Sequence, residues 1–102
     1  NALVIRDTTQ TTENLTALRR QIDDLDNDLL ELLAKRMRVS REIGMYKKEH
    51  NMPILQEHRY DEILQKRIAQ AKEMGMKEEF MKSVLVAIHE ESVRHQMEIM
   101  KG

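Results

Sequence analysis

LLELLAKRMRVSREIGMYKK, residues 29–48, is the stretch whose reading decides the fold. Followed back toward the N-terminus, its leucine face continues as Leu15, Leu18, Ile22, Leu25, Leu29 and Leu32, at spacings of three and four. That period is the mark of an amphipathic helix. Followed forward, the same face meets Arg36, Ser40, Ile43 and Lys47, and the pattern persists to about His50. One helix over about residues 14–50 is therefore expected. It ends before Pro53, whose ring disfavours helix in the residue ahead of it. At about 1.5 Å per residue such a helix is roughly 55 Å long. A compact chain of this length has a radius of gyration of only about 13 Å. The rest of the chain cannot cover so long a rod from one side. Its uncovered stripe calls for a second copy of the chain, in an intertwined or side-by-side homodimer.

Outward from that helix, the periodicity gives two more. One is expected over about residues 55–74, on Ile63, Leu64, Ile68 and Ala71, with Gly75 as the left-handed residue that closes it. Another is expected over about residues 77–100, on Met81, Val84, Leu85, Ile88 and Ile99. With three glycines and one proline in 102 residues, an all-β chain would lack the turns it needs. The eight methionines and many leucines are good helix formers. The expected fold is all-α, with three helices per chain and a long first helix. Residues 1–14, NALVIRDTTQTTEN, stand apart. A β-like run of Leu3, Val4 and Ile5 precedes a Thr-rich stretch, which reads as a linker or the end of a preceding domain. Thr12 or Asn14 is then the expected N-cap, and residues 15–102 form the functional domain. The chain opens on Asn1 rather than Met, in keeping with a piece of something longer.

Composition excludes several functions. The formal net charge is −1, so no global field recruits nucleic acid or an anionic membrane. The basic run KRMRVSR (35–41) is flanked by acids and has no aromatics for base stacking. No cysteine is present, which removes disulfides, thiolate chemistry and Cys-based zinc sites and suits a cytoplasmic location. No apolar run is long enough to span a bilayer. His89-Glu90-Glu91 lacks a second histidine at the zinc-binding spacing, and no metal or cofactor is expected. His50, His58, His89 and His95 read as surface or helix-end residues. Met37, Met45, Met81 and Met97 read as core filler.

What remains are the polar interruptions of apolar stripes. Arg36 and Lys47 lie eleven residues apart, close to three turns, and so share a face. Arg19 sits one turn after Leu15. On the third helix Leu85 and Ile88 continue into Ser92 and Gln96; on the second, Arg59 falls between Leu55 and Ile63, with Gln56 beside it. An unpaired buried cation costs several kcal/mol. A set of donors of this kind implies a small ligand with more than one carboxylate or phosphate. Taken singly, each arginine is as well explained by snorkelling, or by pairing of Arg19 and Arg36 with Asp23, Asp26 or Glu42.

LRRQIDDLDNDLLELLAKRMRVSREIGMYKKE (18–49), with P-I-L-Q-x-x-R (53–59) and HEESVRHQ (89–96) after it, resembles the all-helical chorismate mutases. The resemblance spans residues 15–100 without a gap. It implies a homodimer with shared sites that rearranges chorismate, a dicarboxylate enol ether, to prephenate in aromatic amino-acid biosynthesis, without a cofactor. By that resemblance Arg36 and Arg19 bind the carboxylates, with Arg19 reaching the site of the other subunit. Lys47 contacts a carboxylate and the ether oxygen, Gln96 donates to that oxygen, Ser92 holds a carboxylate, and Arg59 supports the anionic pocket. One departure stands out. Where the family often has D-x-x-R-E, with acids holding the substrate's ring hydroxyl, this chain has Gln56 and Tyr60 in place of the acids. The alternatives are an isochorismate pyruvate lyase on the same scaffold and a non-catalytic dimerisation or regulatory module. The tail resembles fusions in which such a domain follows a synthase of the same pathway.

Overall fold

The structure, a computed structural model of the chain, describes residues 2–102, with side chains described from residue 12 onward apart from Glu57. Its three helices are α1 (Ala2–Glu49), α2 (Glu57–Glu73) and α3 (Glu78–Lys101), and no strand occurs among the described residues. These boundaries fall within two residues of the periodicity except at the N-terminus. The chain divides into two units, Asn1–Lys35 and Arg36–Gly102.

The first unit is helical from Ala2. An extended run over residues 3–5 and an N-cap at Thr12 or Asn14 are therefore replaced by continuous helix. The reason is local: residues 2–14 contain no Gly or Pro, and Thr or Val costs at most about 0.7 kcal/mol relative to Ala. Extending a helix that is already nucleated tolerates such residues. Thr16 donates its hydroxyl to the Thr12 carbonyl at 2.9 Å, a bond made inside a helix rather than at its start. The apolar stripe of this unit, Leu15, Leu18, Ile22, Leu25, Leu29 and Leu32, is 44–63% exposed.

The second unit holds the end of α1 together with α2 and α3. Both chain reversals use the same device. Asn51 takes the left-handed conformation at φ 54°, and the amides of Asn51 and Met52 bond back to Lys48 and Lys47 at 3.4 and 2.8 Å. Gly75, at φ 88°, does the same for α2, with Gly75 and Met76 bonding to Lys72 and Ala71, both at 3.0 Å. These paired bonds satisfy carbonyls that the helix end leaves open. Among the described residues the buried apolar side chains are Leu64, Ile68 and Ala71, all on one face of α2. The methionines expected as filler are only partly so: Met45 and Met97 are half exposed, while Met37 and Met81 are half-buried.

The crossing of α1 and α3 is close at Gly44, which is buried. A Cβ there would lie 3.1 Å from the Cα and 3.2 Å from the Cγ of Gln96. Since the nearest atom is backbone, it cannot swing aside as a flexible side-chain tip could. Gly44→Val should therefore lose about 1–3 kcal/mol in denaturant unfolding, as overpacked contacts do. A midpoint equal to that of the parent would show that the two helices are not held this close.

Candidate active site

Within the Arg36–Gly102 unit the three helices and the 50–56 turn line an open cavity of about 380 Å³. From α1 come Arg36, Ile43 and Lys47; Ile54 and Gln56 come from the turn. From α2 come Arg59, Tyr60, Ile63, Leu64 and Arg67. The α3 wall carries His89, Ser92 and Gln96, set among Leu85, Ile88 and Val93. The floor is apolar, and the polar groups converge on it from separate helices, as ligand sites require.

One polar cluster is fully buried. Ser40, Ser92 and Gln96 are 3%, 9% and 7% exposed. The Gln96 amide nitrogen donates to the hydroxyls of Ser40 and Ser92 at 3.1 and 3.4 Å. Ser40 donates to the Ser92 carbonyl at 3.1 Å, and the two hydroxyls touch each other. No buried side-chain polar atom is left without a partner among the described residues.

Lys47 joins this cluster to the cavity. Its ammonium donates to the Ile54 carbonyl at 2.7 Å, pinning the turn, and to Gln96 Oε1 at 3.4 Å. Partial burial, and then the nearby Arg59 cation, hold its pKa below the ordinary lysine value. Both causes disfavour the charged form, so an anion in the cavity would relieve them. Gln96 shows its oxygen to Lys47 and its nitrogen to the serines, an orientation set by the hydrogen-bond network. To donate into the cavity, the amide must turn over. The serine hydroxyls can donate to its oxygen once it does.

Of the residues singled out from the sequence, Arg36, Lys47, Gln56, Arg59, Tyr60, Ser92 and Gln96 meet around this one cavity. Arg19 lies in the Asn1–Lys35 unit and is not among its lining residues. The stripes are less dry than their spacing suggests. Arg36, Gln56 and Arg59 are exposed and Lys47 is half-buried, so long cations keep their heads in water. The described ion pairs include neither Arg19 nor Arg36 with Asp23, Asp26 or Glu42.

His89 is the clearest correction. It is not at a helix end: it sits half-buried in the middle of α3 and lines the cavity. Its ring stacks on Tyr60, with centroids 3.7 Å apart and planes 16° from parallel. Its place one turn before Ser92-Val93 and two turns before Gln96 was the available signal. Burial, then Arg36, lowers the His89 pKa; Glu90 opposes and Lys47 adds to the lowering. Burial, then Asp61 and Glu90, raises the Tyr60 pKa. Both rings are thus neutral near pH 7. Among the described residues no three His, Asp or Glu side chains gather as metal ligands.

Comparison with known proteins turns on the helices that build this cavity. Residues 18–97 match the family described as chorismate mutase type II. The chain belongs to that family. It is 38% identical over 78 residues to the T-protein of Enterobacter agglomerans, covering 76% of this chain and 21% of that protein. It is 30% identical over 83 residues to the 4-amino-4-deoxychorismate mutase of Streptomyces pristinaespiralis, covering 81% of this chain and 64% of that protein. To the bifunctional chorismate mutase/prephenate dehydratase of Aquifex aeolicus it is 35% identical over 83 residues, covering 79% and 22%. The chain spans about a fifth of the length of the T-proteins it matches. No solved structure matches it.

The neutral His89 makes a prediction about stability. Its folded pKa lies below its ordinary value near 6.5, so below that pH the unfolded chain binds the proton more readily and stability falls as pH drops. Between pH 7.5 and 5, His89→Gln should lose less melting temperature than the parent. An identical loss in both would mean that His89 is freely protonated in the folded chain.

Proposed function

We propose that the cavity of the Arg36–Gly102 unit rearranges chorismate to prephenate. The observation that carries the reading is the convergence of Arg36, Lys47 and Arg59 with Ser92 and Gln96 around one cavity of about 380 Å³. Those are the groups that a small dicarboxylate with an ether oxygen needs. Arg36 and Ser92 hold carboxylates, and Arg59 adds to the positive field. Lys47 gives up its neutral acceptors for a carboxylate and the ether oxygen.

The reaction is unimolecular: the ether C–O bond breaks as a C–C bond forms, with no proton transferred. The chain has two ways to help. The apolar floor of Ile43, Leu85 and Ile88 and the basic groups hold the enolpyruvyl arm over the ring, a geometry sparse in water. Lys47, with the turned-over Gln96 amide, faces the oxygen as negative charge grows on it. The turn-over of Gln96 and the release of Lys47 accompany substrate binding, and the serine hydroxyls then hold the amide oxygen while the bond breaks.

The active form is a homodimer. The exposed leucine stripe of the Asn1–Lys35 unit supports this, because apolar rows of that length are seldom left in water. In the dimer Arg19 completes the site of the other subunit. No helix among the described residues is long and apolar enough to cross a membrane, and we place the reaction in the cytoplasm. The relatives named as bifunctional mutase/dehydratases suggest that the domain works joined to a second enzyme of the same pathway.

Incubation with chorismate should yield prephenate and no pyruvate; pyruvate would identify a lyase, and neither product a binding module. Gln96→Glu probes the ether-oxygen contact in the same assay. An ionised glutamate would pair with Lys47 and repel the growing charge, whereas a protonated one can still donate. Turnover by this variant should be poor at pH 7.5 and rise toward pH 5, while the parent changes little. A flat profile for the variant would remove Gln96 from the reacting bond.

Sharing of the site is tested by mixing. Arg19→Ala and Arg36→Ala chains, each nearly inactive alone, should regain up to one competent site per mixed dimer. Mixed dimers that form and stay as inactive as their parents would contradict a shared site.

A further inference from the structure

Of the cations that line the cavity, Arg36, Lys47, Arg59 and Arg67, only the lysine can give up its proton and become a nucleophile. Its surroundings favour that form. The nitrogen has two acceptors, the Ile54 carbonyl at 2.7 Å and Gln96 Oε1 at 3.4 Å, and both are neutral. The described ion pairs bring no carboxylate to it, and the described lining contains no Asp or Glu. A neutral amine places its two N–H bonds on those two acceptors and keeps its lone pair. An ammonium has a third N–H bond to satisfy. Partial burial and the Arg59 cation act in the same direction, toward the neutral amine. Every other lysine of the chain is exposed, where water stabilises the ammonium.

The same cavity selects the electrophile. The charge of Arg59 reaches Lys47, and the charges of Arg36 and Lys47 both reach His89. Guanidiniums and amine therefore act on one space, and an anion that enters it is drawn toward the nitrogen. An uncharged reagent gains nothing from those cations. An acyl phosphate has both parts that the arrangement takes: a phosphoryl group for the guanidiniums and an acyl carbon for the amine.

We propose that Lys47 is a site of chemical acylation by small acyl phosphates, held for the reaction by the neighbouring arginines. The Lys47 nitrogen attacks the acyl carbon and forms an amide bond. The bond from that carbon to the phosphate oxygen breaks, phosphate leaves with the electron pair, and the amine proton passes to solvent. The guanidiniums meet the charge that grows on the departing phosphate. With its charge met by them, the phosphoryl group does not hold the amine as an ammonium. The amide formed is uncharged and no longer grips a carboxylate, so acylation silences the reaction proposed above. The modification itself does not depend on that reading.

Acetyl phosphate at pH 8, with mass-spectrometric mapping of every lysine of the full chain, tests this. Lys47 should be acetylated about fivefold or more faster than the exposed Lys66 and Lys82, as an activated nucleophile beside bound reagent is. Excess inorganic phosphate should slow Lys47 and leave the exposed lysines unchanged, and Arg59→Gln should do the same. With the uncharged N-hydroxysuccinimide ester of acetate, the advantage of Lys47 should shrink. Acetylation of Lys47 no faster than that of Lys66 and Lys82 would overturn the proposal. So would an advantage that phosphate, the uncharged ester and Arg59→Gln all leave unchanged, since no anion would then be held. Prephenate formation, followed on the same samples, should fall in step with Lys47 occupancy. Full turnover by acetylated chains would contradict the role of Lys47 in the mutase reading and leave its reactivity standing.

Discussion

The hydrogen bonds that bury Ser40, Ser92 and the Gln96 amide where α1 crosses α3 are the constraint on which the site depends. Buried polar groups are costly when unpaired and rigid when satisfied. Here each side-chain group has a partner, so the cluster specifies one register of the two helices rather than a family of slid alternatives. Gly44 lets the backbones come close enough for the cluster to close. A side chain at 44 would press on the Gln96 backbone, whose Cα lies 3.1 Å from where a Cβ would stand. Through Gln96 the cluster sets Lys47, and through Lys47 it sets the turn at Ile54. The cluster thus fixes where the Lys47 ammonium stands.

The electrostatics of the cavity follow from what surrounds it. Four cations line a partly apolar space, and two half-buried groups in its wall, Lys47 and His89, are both shifted toward neutrality. Such a site suits anions: a dicarboxylate would relieve the repulsion among these cations. The exposed ends of Arg36 and Arg59 stay hydrated. This division suits a reaction that needs folding of the substrate and stabilisation of one oxygen. Fixed groups come from the α1–α3 crossing and adaptable ones from the arginines.

The leucine spacing made the helices legible, because a period of three and four survives whatever packs against it. Gly75 was legible as a stop, since a left-handed residue after an apolar stripe has few other uses. Arg36, Lys47, Ser92 and Gln96 were visible as interruptions of stripes, and the cavity brings them together. His89, Ser40 and Gly44 were not read as parts of the site. Their roles depend on partners on other helices: Tyr60 for His89, Ser92 for Ser40, Gln96 for Gly44. Periodicity tells which face a residue occupies, not how near another backbone comes to it. The helix over residues 2–14 was missed for a different reason: weak local preferences there yield to the long helix that follows.

The central claim is that the basic groups of one cavity grip a dicarboxylate ether. A crystal structure with a bicyclic dicarboxylate mimic of the rearrangement's transition state tests it most directly. The account predicts the mimic in the Arg36–Gln96 cavity. One carboxylate should bond Arg36, the ether oxygen should lie within hydrogen-bond reach of Lys47 and of a turned-over Gln96 amide, and the ring should rest against Tyr60 and His89. A mimic bound elsewhere, or bound there with Lys47 still on the Ile54 carbonyl and Gln96 still donating to both serines, would contradict it.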